Sequence, residues 1–104
     1  MTDTLAWLEC WYLSQCDGDW EHQQGIHMDT LDNPGWMVSI SLEETDLDGL
    51  PFEPLEVHRS EDDWLFCRVR ERKFEAACGP RNLNESLKVF RAWVERSGPG
   101  PVSD

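Results

Sequence analysis

Residues 25–42 read GIHMDTLDNPGWMVSISL, and this run decides the fold by how it alternates and where it turns. Trp36, Val38, Ile40 and Leu42 alternate with Met37, Ser39 and Ser41, the period of a strand with one face buried. Upstream, Ile26 and Met28 face one way and His27 and Asp29 the other, a shorter strand over Gly25 to Leu31. Between them Asn33-Pro34-Gly35 is turn chemistry. Proline fixes φ at the second turn position, and glycine supplies the positive φ that the third position of a type II turn requires. The result is an antiparallel hairpin whose apolar face needs a covering layer.

Working outward, Glu43 to Pro54 is acidic and broken by Gly49, Pro51 and Pro54, so it reads as a loop or irregular edge. A short strand is expected over Leu55 to Arg59. The turn-like Ser60-Glu61-Asp62-Asp63 then leads into a strand from Trp64 to Arg70. A tight turn near Glu71-Arg72 precedes a last strand in which Phe74, Ala76 and Cys78 share a face. Helices flank these strands. From Leu5 to Cys16, Leu5, Leu8 and Tyr12 repeat at helical spacing beside a second stripe of Trp7 and Trp11, with Asp17-Gly18 as the stop. Near the other end Asn82 and Glu85 form an N-cap box, followed by an apolar stripe of Leu83, Leu87, Phe90 and Trp93/Val94. The expected fold is α+β and two-layered: N- and C-terminal helices packed on an antiparallel sheet of four to five strands. Residues 1–97 form a single domain, and 98–104, with a Gly-Pro-Gly-Pro run, a flexible tail.

Charge narrows the function. Residues 1–66 hold 16 acids against one base, Arg59, while 67–104 hold 5 acids against 8 bases. An N-terminal segment at −15 repels nucleic acid and anionic membrane and attracts basic partners. No apolar run approaches the ~20 residues of a membrane span. The opening residues lack a basic region followed by an apolar stretch, so a cytoplasmic location is expected. In that compartment Cys10, Cys16, Cys67 and Cys78 are expected to stay reduced; no Cys-x-x-Cys pair supports a zinc site. His22, His27 and His58 have no ligand spacing, so neither metal nor cofactor is expected.

The densest polar cluster is Asp17-Gly18-Asp19-Trp20-Glu21-His22. Glu21 and His22 could serve acid–base chemistry, but the chain offers no nucleophile and no phosphate-cradling glycine run. Turn and capping roles explain part of the cluster, and an acidic binding surface explains the rest. Of the six tryptophans, Trp7, Trp36 and Trp93 fit core positions, whereas Trp20 and Trp64 stand beside acids at element edges. Exposed indoles suit interface anchors, or a carbohydrate platform. The expected contact set is Asp17, Asp19, Trp20, Glu21, His22, Asp32, Asp62, Asp63 and Trp64.

Two runs carry a resemblance. Trp7-x-x-x-Trp11-Tyr12-x-x-Gln15-Cys16-Asp17-Gly18-Asp19-Trp20-Glu21-His22-x-x-Gly25 and Thr30-Leu31-Asp32-Asn33-Pro34-Gly35-Trp36-x-Val38 are similar to the immunity protein 53 family of bacterial polymorphic-toxin systems. Asp63-Trp64-x-x-Cys67, Phe74 and the Asn82 to Trp93 helix echo it more weakly, and the 43–56 stretch matches least. The resemblance implies a non-enzymatic protein that binds and blocks a cognate toxin. It supplies no contact residues. The acidity leads to the expectation of a basic, nuclease-type toxin domain whose active site is occluded, with a toxin of another activity as the alternative; of the oligomeric states, a monomer is favoured. A small enzyme using Glu21 and His22 is the alternative, and an aromatic-rich carbohydrate- or peptide-binding module is a third reading.

Overall fold

The hairpin forms where the alternation places it. In a computed structural model, which describes residues 3–97, β1 (Ile26–Leu31) and β2 (Gly35–Ser41) pair antiparallel from Ile26 opposite Ile40 to Leu31 opposite Gly35. The turn itself differs from the expected type II. Gly35 is not in the left-handed region; it closes the ladder, and residues 32–34 make the connection. Its glycine answers to packing instead: a Cβ there would stand 2.3 Å from the Cys78 carbonyl oxygen on the neighbouring strand.

The remaining strands, β3 (Leu55–Ser60), β4 (Asp63–Arg70) and β5 (Lys73–Cys78), form a meander, and β5 pairs with β2. The order is therefore β1-β2-β5-β4-β3, all antiparallel, with β1 and β3 at the edges. Register puts Met28, Val38, Ala76, Cys67 and Leu55 in one row of the inner face and Asp29, Met37, Ala77, Phe66 and Glu56 in a row of the outer face. The helices α1 (Thr4–Gln15) and α3 (Leu83–Ser97) cover the inner side, and a short α2 (Trp20–Gln23), unforeseen in the sequence, precedes β1. The expected tail, 98–104, lies outside the described residues.

Packing selects between the two stripes of α1. Trp7 and Trp11 meet the Phe90 ring of α3 at centroid distances of 6.0 and 5.0 Å, and Leu8 joins the core. Leu5, Tyr12 and Leu13 are left exposed. Two indoles bury more area than a leucine and a tyrosine, so the tryptophan face wins. On α3 the stripe packs as expected, with Leu87, Phe90 and Trp93 buried. Asn82 departs from a simple cap. Its Oδ1 accepts from the Trp64 N–H, and its amide donates to Asp63 and Glu85, so it ties the start of β4 to the start of α3.

The acidic 43–54 segment is a loop, but an anchored one. Leu47 is buried, and Phe52 packs edge-on to Phe74 and Trp93 at 5.5 and 5.2 Å. At the β4–β5 turn Glu71 and Arg72 both adopt left-handed φ, 55° and 62°, which costs roughly 1–2 kcal/mol per residue without glycine. The Arg72 guanidinium then grips Asp48 and lies 3.7 Å from Glu43, holding the loop against the turn. The four cysteines are free; burial, with Cys78 adding, pushes the Cys67 thiol up to about 12.

Candidate partner-binding surface

Asp17 to His22 lie where α1 gives way to β1, and they form a closed turn. Gly18 supplies the positive φ, 98°. The Asp17 carboxylate accepts from the N–H groups of Asp19 and Trp20 at 2.9 and 3.0 Å. Glu21 reaches back to accept from Asp17 and Gly18 at 2.9 and 2.8 Å. These donors hold both carboxyls below their ordinary values: for Asp17 the N–H of Trp20 and then Asp19, for Glu21 its own N–H and then those of Asp17 and Gly18. Both groups are thus fixed as negative charge at neutral pH. Asp19 and His22 are exposed beside them.

Trp20 corrects the sequence reading. Expected as an exposed contact, it is 1% exposed, its ring 5.9 Å from Trp11 and 5.7 Å from Tyr12. The turn folds it back onto α1, where it anchors the acids without facing a partner. Glu21 and His22 are neighbours in α2, and adjacent helical side chains diverge, so the pair does not converge on one reacting atom.

The other expected contacts are dispersed. Asp32 sits just past the far end of β1, about 20 Å from Ile26 at ~3.4 Å per residue. Asp62, Asp63 and Trp64 lie at the β3–β4 connection, three strands across the sheet, roughly 14 Å away. Asp63 is engaged there by Arg59 and Asn82 at 3.0 and 2.9 Å, and Trp64 is half-buried. The nine residues therefore do not form one patch. The Asp17–His22 turn stands at one end of β1, and Asp32, Asp62, Asp63 and Trp64 lie towards the other end of the sheet, spread across its width.

Two neighbours of the turn escaped the sequence reading. Gln24 accepts from the Ser41 hydroxyl at 2.8 Å and donates to Glu43 at 3.4 Å, which brings the acidic loop to the same end of the sheet. Alongside, a groove of about 320 Å³ runs between α1 and β1, lined among others by Leu8, Glu9, Tyr12, Glu21, Ile26 and Met28. The available signal was α1 itself, apolar on more sides than one face can bury. Among the described residues the ion-paired acids are Glu43, Asp48, Asp63, Glu75, Glu85 and Glu95. Glu9, Asp17, Asp19, Glu21, Asp29 and Asp32 are not among them. A second groove, between α1 and α3, mixes Lys88 and Arg91 with Asp3 and Glu95 and offers no single sign of charge.

No group of three or more His, Cys, Asp or Glu among the described residues is placed to hold a metal ion. No curated protein and no solved structure matched the chain. A family model described as immunity protein 53 matches residues 5–95, a span that runs from α1 through most of α3 and takes in the whole sheet, the turn and the groove. On that coverage the chain belongs to the immunity protein 53 family.

Proposed function

We propose that this chain binds and neutralises a basic, nuclease-type bacterial toxin domain by occluding its active site, in the cytoplasm of the cell that makes both. The family supports the protective role. The observation that carries the finer reading is the set of six carboxylates around β1 and the α1–β1 turn that have no ion pair among the described residues, beside a partly apolar groove. A nuclease holds phosphates with cationic side chains, and carboxylates fixed by a rigid turn occupy the same electrostatic niche. Long-range attraction speeds encounter, and burial of Tyr12 and the groove residues slows release. Asp17, Asp19, Glu21, His22 and Asp32 belong to this contact; Asp62, Asp63 and Trp64 lie at its margin. The enzyme alternative loses its converging pair, and the carbohydrate alternative loses Trp20 as a platform. No helix among the described residues is long and apolar enough to cross a membrane.

The test is to titrate the chain into the purified toxin domain encoded by the adjacent gene and follow nucleic-acid cleavage. Loss of activity complete at one equivalent is expected. Cleavage untouched by a bound chain, or no binding at all, would refute the reading.

A further inference from the structure

The backbone of β1 is as informative as its side chains. The Ser41 N–H donates to the Gly25 carbonyl at 3.1 Å, so these two residues form a hydrogen-bonded pair. In an antiparallel ladder such pairs recur at every second residue. With the observed register, the N–H and C=O groups of His27, Asp29 and Leu31 point at β2, and those of Ile26, Met28 and Thr30 point away from the sheet. An edge of this kind is a template for another strand, and sheets usually guard it with proline, lysine, a bulge or a cover. β1 has no proline, lysine or arginine, and its register is unbroken. The opposite edge is guarded: Pro51 and Pro54 precede β3, the register slips between His58 and Ser60, and Arg59 is tied to Asp63 and Glu85.

We infer that the toxin docks by strand addition, an extended basic segment pairing with the outer edge of β1 as a sixth strand. The inference rests on the inhibitor reading above and adds the mode of contact. The surroundings select the occupant. Residues of the added strand that face inward meet Leu8, Tyr12 and Met28 in the groove, which favours apolar side chains at alternate positions. Those between meet Asp29, with Asp19 and Asp32 near the ends, and Glu9 and Glu21 stand at the groove itself, which favours lysine or arginine beside the apolar positions. A second copy of this chain would set those acids against their own duplicates, so like charge opposes self-pairing.

Two measurements with the adjacent gene's toxin domain, in a catalytically inactive form, test this. In the one-to-one complex, exchange of the Met28 and Thr30 amides should slow at least ~10-fold relative to the free chain. Thr30→Pro removes an outward N–H from an exposed edge residue without touching the β1–β2 bonds, and it should weaken binding by about 100-fold while the hairpin's cross-strand contacts persist. If that variant unfolds, the exchange result alone decides. A complex that leaves both amides unprotected overturns strand addition and leaves the inhibitor reading intact. Protection that develops with concentration in the chain alone also overturns it, in favour of self-pairing. Absence of any complex overturns the inhibitor reading and this inference together.

Discussion

The two edge strands, β1 and β3, have the same length, six residues each, and opposite treatment. β3 enters after two prolines, carries a register slip, and is fastened to α3 through Arg59, whose guanidinium bonds Glu85 at 2.7 Å. β1 has none of these devices, and among the described residues the acids around it lack ion pairs. Edge protection is a general need of soluble sheets. A sheet that meets the need on one side and neglects it on the other points to use of the neglected side. The same asymmetry runs through the charge: among the described residues, ion pairs engage Arg59 on β3, Glu75 on β5 and Asp48 in the 43–54 loop, and no residue of β1.

The largest expected effect comes from undermining the β1 side from below. Trp20→Ala removes a fully buried indole from the stack that supports the Asp17–Glu21 turn, and should cost about 3–5 kcal/mol in urea unfolding. A cost under ~1 kcal/mol would mean that the turn stands without it. Next, Gly35→Ala forces a Cβ against the Cys78 carbonyl and should destabilise by about 1–3 kcal/mol. Its signature is uneven: faster amide exchange in the β1–β2 hairpin and little change in β3–β4. Uniform loosening would show that the two edges are not independent.

A smaller effect separates the sides by acid. The native carboxyls of Asp17 and Glu21 lie below their ordinary values of 3.8 and 4.5, so their contribution is full above those values. It declines as pH falls beneath about 4.5 and is gone below the lowered native values. The Trp20 indole resonance should report the turn loosening in that window, and Asp17→Asn with Glu21→Gln should flatten the response. On the β3 side Asp63 is lowered by Arg59 and then Asn82, so its acid response should survive that double substitution unchanged.

Much of this was legible in the sequence, for reasons that particular residues make plain. Alternation from Trp36 to Leu42 and the apolar stripe of α3 are local patterns with one reading each, and the structure follows both. Where two readings competed, tertiary contact decided. Gly35 suited a left-handed turn and serves a close strand approach. Asn82 suited a cap and became a tie between β4 and α3. Trp20 stands among acids, as a surface residue would, but Trp11 and Tyr12 from the preceding helix enclose it. The openness of β1 was not legible at all. It follows from β5 pairing with β2, a choice of neighbour that no local pattern encodes.

The central claim, that the β1 side faces the toxin, is best tested by removing equal charge from each edge. Glu9→Gln, Asp19→Asn and Asp29→Asn together, and separately Glu53→Gln, Glu56→Gln and Glu61→Gln, each neutralise three exposed acids and change net charge alike. Association with the toxin domain is then followed by stopped flow across a range of salt concentrations. The β1-side triple should slow association by at least ~10-fold at low salt and flatten its salt dependence, and the β3-side triple should stay within about 2-fold of the parent. Equal slowing by the two, or a larger effect from the β3 side, would contradict the account.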